Sequence, residues 1–271
     1  MKLTPDIQYP SSTHQDQWEK LKQFTDARIA LGRTGCSLPT KVLLDFQLAH
    51  AQAQDAVYQK LDTHYLSEHL SKQFIESIHV ESNAKDKQTY LKRPDLGRQL
   101  SEDSKERLVN KFSNKAEKYD VCIVVGDGLS ARAIESNAIP FILSLAKQIQ
   151  QEDWALAPVI IATGSRVALG DDVAEILKAP MLVMLIGERP GLSSPDSMGV
   201  YYTWDAHTGS TDAQRNCISN VRTAGLSIPI ATQRLIKLMK NSKQLGFSGV
   251  DLKDEHQVPN IQQTDSSQLL F

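Results

Sequence analysis

Three short apolar runs, each closed by a glycine turn, constrain this chain more than any other feature. They are Val121-Cys122-Ile123-Val124-Val125 before Gly126-Asp127-Gly128, Val159-Ile160-Ile161-Ala162 before Thr163-Gly164-Ser165, and Met181 to Ile186 before Gly187-Glu188-Arg189-Pro190-Gly191. A run that is apolar at every position, not at every second one, reads as a strand buried on both faces, as in a parallel sheet covered by crossover helices. Helical patterns separate the runs: Ser130 to Gln150, bent at Pro140, and Asp171 to Leu177. This alternation predicts an α/β fold, a doubly wound, Rossmann-like parallel sheet in the C-terminal part. Right-handed crossovers place the three glycine loops on one carboxyl edge, where such sheets bind ligands.

The remaining chain divides around that sheet. Residues 1–100 read as a smaller helical domain that opens with a loose, polar lead-in of about 15 residues. A helix is expected from Asp16 to Leu31, and the clearest amphipathic helix from Pro39 to Leu61, with Leu43, Phe46, His50, Ala53 and Val57 on one stripe. A weaker helix follows from Tyr65 to His79, and then a polar surface excursion to Arg98. Residues 101–250 form the α/β domain, with a charged helix from Glu102 to Lys118 and a fourth strand over Gly199 to Trp204. It closes with a helix from Ser227 to Leu245 that Gly246 stops. Residues 251–271 read as a disordered tail.

Composition narrows the function classes. With 41% hydrophobic and 23% charged residues, the 271-residue chain is globular and long enough for a real core. Thirty basic residues against 32 acidic ones leave a formal charge of -2, without the basic footprint that nucleic acid requires. The scattered Cys36, Cys122 and Cys217 fit a reducing compartment better than a disulfide framework. No apolar run approaches the roughly 20 residues of a membrane span, so the chain is expected in the cytoplasm.

Four segments are candidates for chemistry. Gly126-Asp127-Gly128-Leu129-Ser130-Ala131 matches G-x-G-x-x-G/A between a strand and a helix, which makes an NAD(P)-dependent oxidoreductase one reading. The acidic residue that would hold a ribose at the end of the second strand is missing, and a turn shaped for packing or another ligand is the alternative. Glu188, leaving a buried strand at the ligand edge, needs hydrogen-bond donors from a ligand or a local ion pair with Arg189. Cys217 lies in the polar run Arg215-Asn216-Cys217-Ile218-Ser219-Asn220, where Arg215 could depress the thiol pKa, but no histidine is designated as its base, so a small semi-apolar side chain lining a pocket or core is the better reading. His207 in Asp205-Ala206-His207-Thr208-Gly209 reads as a loop residue and His50 as a hydrogen-bonded core residue. The glycine-containing segments Ala30 to Thr40 and Leu91 to Arg98 read as connections or as basic loops that grip a partner.

Taken together, these runs resemble the small (light) subunit of ethanolamine ammonia-lyase. The resemblance spans roughly residues 20 to 250, and Gly187-to-Leu192 together with Arg215-to-Asn220 is its most specific part. It implies a lyase that converts ethanolamine to acetaldehyde and ammonia by radical chemistry, using adenosylcobalamin. A large subunit holds the substrate, and the small subunit forms part of the cobalamin site at their interface, inactive by itself and assembled into a hetero-oligomer. It further implies cobalamin contacts at Val167, Glu188 and Cys217. No side chain of this subunit is implied as catalytic or as a cobalt ligand, in keeping with the absence of D-x-H-x-x-G. Relatives can carry a longer leader for packaging into a bacterial microcompartment, whereas about 15 residues precede the first expected helix here. An assembly module that only docks another protein is the remaining alternative.

Overall fold

A computed structural model of the chain describes residues 13, 14, 16–113 and 118–252. Most of the expected lead-in and nearly all of the expected tail lie outside the described residues. The three apolar runs are strands: β4 (Val121–Gly126), β5 (Val159–Thr163) and β6 (Met181–Gly187). They pair in parallel, with β4 in the centre between β5 and β6. The crossover helices are α5 (Ala131–Gln151) and α6 (Leu169–Leu177). Pro140 is accommodated within α5 on its exposed side.

The sheet has six strands: the expected fourth strand is β7 (Met198–Trp204), whereas the two edge strands, β3 (Ser77–Glu81) and β8 (Arg215–Val221), were not expected. At one edge β3 pairs in parallel with β5. At the other, β7 and β8 run antiparallel, giving the order β3-β5-β4-β6-β7-β8. The helix read from Tyr65 to His79 therefore needs correction, because α2 (Thr63–Ser71) stops early. Phe74 takes a left-handed conformation that turns the chain, and Ile78 and Val80 continue as a strand. The fold is thus mixed α/β on a mostly parallel sheet.

Strand parity sorts the core into two layers. Val121, Ile123, Val125, Val183 and Leu185 face α2, α5 and α7 (Ile228–Leu245), whereas Cys122, Val124, Leu182, Met184 and Ile186 face α4 (Glu102–Phe112) and α6. Each such side chain, moved from water into these layers, contributes about 1.5–3 kcal/mol. Caps follow the sequence: Ser101 accepts from the Ser104 N–H, Ser130 from the Ala133 N–H, and Gly246 ends α7 at φ +79. No helix among the described residues is long and apolar enough to cross a membrane.

The N-terminal part departs from expectation. A two-residue antiparallel pair joins β1 (Thr13–His14) to β2 (Arg33–Thr34), and between them only Gln17–Phe24 is helical, as a 3-10 helix capped by Asp16. The amphipathic helix exists as α1 (Thr40–Tyr58), but only Ala53 and Ala56 of it are buried. Leu43 and Phe46 stay exposed, and His50 is not a core residue but an exposed one beside the Phe46 ring. The reason is positional: only the C-terminal end of α1 is buried, so the rest of its stripe stays largely open, with the Arg28 guanidinium 5.7 Å from the centre of the Phe46 ring. The polar excursion is partly structured, by α3 (Lys87–Lys92) and a 3-10 turn at Leu96–Arg98.

Phe141 on α5 is fully buried between the sheet and its neighbours. Replacing it with alanine should lower the unfolding free energy by about 3–5 kcal/mol. Urea denaturation followed by circular dichroism measures this, and a loss under about 1 kcal/mol would contradict the packing described.

Candidate functional site

The residues after the three parallel strands meet at one edge, and the glycine turn after β4 holds them there. The Asp127 carboxylate accepts the Gly164 N–H at 3.0 Å and the Ser165 N–H at 2.9 Å, tying β4 to the loop after β5. Its burial pushes its pKa up, partly offset by those amides. The Leu129 N–H donates to the Gly187 carbonyl at 2.9 Å, and Ser130 donates to the Pro195 carbonyl at 2.8 Å, tying β4 to the loop after β6. Gly128 has φ +55, and a Cβ there would lie 2.3 Å from the Gly187 oxygen, so only glycine fits. The N–H groups of Asp127, Gly128, Leu129 and Ser130 are all engaged within the chain. This turn is built for packing, and few donors remain to cradle a pyrophosphate.

Parity then decides which side chains face the site. Leu182, Met184 and Ile186 lie on the α6 side of β6, and Glu188 follows in the same sense. On β7 and β8 the pairs Tyr201–Cys217 and Thr203–Arg215 share that side. The loop entering α6 supplies Val167. Two adjoining cavities result, both lined by Arg166, Val167 and Tyr201: one of about 410 Å3 also holds Glu188, and one of about 300 Å3 holds Cys217. Val167, Glu188 and Cys217, far apart in sequence, are therefore brought together on one side of the sheet edge. A larger cavity of about 560 Å3, at the ends of β3 and β5, holds none of the three.

Glu188 does not pair with Arg189. Its carboxylate accepts hydrogen bonds from the Ser197 hydroxyl, the Ser219 hydroxyl at 2.5 Å and the Asn220 N–H at 3.2 Å. Gly199 leaves it room, since a Cβ there would lie 3.0 Å from Oε1. An ionised carboxylate offers about four acceptor sites, so one remains for a ligand.

Arg215 is not placed to activate the thiol. It forms a bidentate pair with Asp171 in the first turn of α6, at 2.6 and 2.7 Å, with both side chains 2% exposed. It also donates to the Ser210 carbonyl at 2.9 Å. Cys217 is exposed, yet burial around its sulfur and the nearby Glu188 charge push its pKa up, against a hydrogen bond from Tyr201 that lowers it. This shift runs opposite to the depressed pKa that a nucleophilic cysteine needs. His207 is an exposed loop residue, as expected. Sequence reasoning missed Arg166, Tyr201 and Tyr90; the first sits directly beside Val167, which was the one available signal.

Fold and site define an α/β protein with two adjoining open cavities at the carboxyl edge of its sheet. Residues 15–253 match the family model described as ethanolamine ammonia-lyase light chain (EutC). Among curated relatives, the ethanolamine ammonia-lyase small subunit of Pseudomonas fluorescens strain Pf0-1 is 48% identical over 94% of this chain and 93% of its own. That of Pseudomonas aeruginosa strain UCBPP-PA14 is 48% identical over 95% and 94%. That of Pseudomonas syringae pv. tomato strain DC3000 is 48% identical over 93% and 88%. The chain belongs to the ethanolamine ammonia-lyase light-chain family.

Two measurements check this geometry. Asp171→Ala leaves a buried guanidinium uncompensated and should cost about 3–5 kcal/mol, whereas Asp171→Leu combined with Arg215→Met should cost much less; equal losses in chemical denaturation would refute the pairing. In a Cys36→Ser background, alkylation of Cys217 by iodoacetamide should rise with pH through a midpoint above the ordinary thiol value of ~8.5. A midpoint below that value would mean a thiolate stabilised by Arg215 after all.

Proposed function

We propose that this chain is the small subunit of an ethanolamine ammonia-lyase, forming one wall of an adenosylcobalamin site whose other wall belongs to a large subunit. The observation that carries the reading is the convergence of Val167, Glu188 and Cys217 on the two adjoining cavities. The reaction is the conversion of ethanolamine to acetaldehyde and ammonia, with substrate held by the large subunit. Bound adenosylcobalamin supplies the radical chemistry.

The residues present fit that group. A corrinoid carries a rim of carboxamides around an apolar ring, and it exceeds the drug-sized ligands that cavities of roughly 300–1,000 Å3 enclose. Open cavities of about 410 and 300 Å3 suit a surface that covers part of it. The remaining acceptor site of Glu188 takes a carboxamide N–H or a ribose hydroxyl. Val167 and the Tyr201 ring offer apolar surface, and the Cys217 thiol packs at the rim. The chain's part is to bind, orient and exclude water, so it is inactive alone.

The same reading takes residues 101–250 as a Rossmann-like, doubly wound unit that contacts the cofactor, extended at one sheet edge by β3, with the rest of residues 1–100 as a largely helical accessory part. It places the complex in the cytoplasm or in a bacterial microcompartment, a reading that three free cysteines support.

The test is a cobalamin absorbance titration of the purified two-subunit complex. Wild type should bind adenosylcobalamin and turn over ethanolamine only when both subunits are present. Glu188→Gln and Val167→Asp should each weaken cofactor binding about tenfold or more while gel filtration shows intact assembly. Activity from this chain alone, or unchanged affinity in both variants, would overturn the proposal and, in the second case, favour a pure assembly module.

A further inference from the structure

Arg166 is the cation common to both cavities, and its surroundings hold it still without neutralising it. Its backbone N–H donates to the Gly97 carbonyl at 2.7 Å. Its guanidinium carbon stands 4.3 Å from the centre of the Tyr90 ring, and Nη2 donates to the Tyr90 carbonyl at 3.3 Å. Gly97 is glycine because a Cβ there would lie 3.0 Å from the Arg166 Cγ and 3.0 Å from the Gly164 oxygen.

No carboxylate answers this charge among the described residues. Arg93, Arg107, Arg215 and Arg222 each pair with an aspartate, whereas Arg166 pairs with none, and its buried Nε has no hydrogen-bond partner. The nearby acids are already committed: Asp171 and Asp212 to Arg215, Glu188 to its three donors. Burying donors without acceptors is costly, which points to an acceptor that arrives with a ligand. Two further features line the smaller cavity. Arg98 adds a second guanidinium, and Val167 and Ala168, at a helix start with no side-chain cap, line the cavity too. Neither residue's N–H has a partner among the described residues. A fixed guanidinium, a second cation and free amides at a helix N-terminus are the donor set of an oxyanion site.

We propose that Arg166, seated on Tyr90 and backed by Gly97, receives a phosphodiester, the one carried by the nucleotide tail of the cobalamin. This rests on the reading above and adds to it which end of the cofactor this chain grips. The Leu91-to-Arg98 segment then serves the cradle through Gly97 and Arg98 rather than only gripping a partner.

The test compares two ligands on the two-subunit complex by absorbance titration: adenosylcobalamin, and adenosylcobinamide, which has the corrin but lacks the nucleotide and its phosphodiester. Arg166→Met should weaken adenosylcobalamin binding about tenfold or more and leave adenosylcobinamide binding within about twofold, the scale of one lost charge-assisted contact. Arg166→Lys should recover part of the loss, and Gly97→Ala, which pushes on the arginine from behind, should reproduce it. Inorganic phosphate should compete with adenosylcobalamin in wild type and not in Arg166→Met. Equal losses for both corrinoids, or no loss for either, would overturn the assignment while leaving the cobalamin reading intact. A wild-type complex that binds neither corrinoid would sink the cobalamin reading, and this assignment with it.

Discussion

The Asp127 carboxylate and the glycine turn that carries it are the constraint on which the edge of this sheet depends. Three loops leave the carboxyl ends of β4, β5 and β6, and left alone each would take its own conformation at an entropic cost of about 1–2 kcal/mol per fixed residue. Asp127 accepts from the loop after β5, while Leu129 and Ser130 reach the loop after β6. A buried carboxylate is expensive, and its raised pKa records that cost. In return one side chain and one turn set the positions of Val167 and Glu188 together. A motif that looks like a nucleotide cradle is here the fastener of the edge that bears the two cavities.

The buried Asp171–Arg215 pair sets the other half of the geometry. Such pairs add little net stability against an apolar replacement, because desolvation offsets the attraction. Their effect is registry. Arg215 stands two residues before Cys217 on β8, and Asp171 four residues after Val167, so the pair fixes the α6 entrance against the outer strands across β7. Glu188 performs the same task from β6, gathering Ser219 and Asn220 of β8. Both cavities are therefore bounded by polar contacts that tolerate only one register.

How much of this could be read from the sequence follows from which forces are local. The runs forming β4, β5 and β6 are legible because burial on both faces demands apolar residues at every position, and α7 because its stripe ends at Gly246. β8 was not legible: Arg215, Asn216, Ser219 and Asn220 are polar because they serve the ion pair, the edge and Glu188, so the run lacks a strand's alternation. β3 was hidden by the short turn at Phe74 that separates it from α2. The helical stripe of α1 was correct as a pattern but not as burial, since periodicity says that a face is apolar and not what covers it. Val167, Glu188 and Cys217 came from motifs and resemblance. Arg166 escaped because its meaning lies in contacts with Tyr90 and Gly97, about 70 residues earlier.

The unmet surfaces of the molecule are consistent with one another. Leu43, Leu44, Phe46 and Leu48 of α1 remain between 42% and 59% exposed, a run of large apolar side chains that a free-standing protein ordinarily covers. The two cavities are likewise open, with a cation lacking its counter-charge at their junction. Each feature carries an unfavourable solvation term in the isolated chain, apolar surface in water in one case and unpaired donors in the other. A polar residue in place of Phe46, or an acidic neighbour for Arg166, would lower those costs in the isolated chain. Both features would be met in the assembly proposed above, where a second polypeptide and a bound corrinoid would supply what is missing here. The chain is packed where its sheet is complete and open where that assembly would complete it.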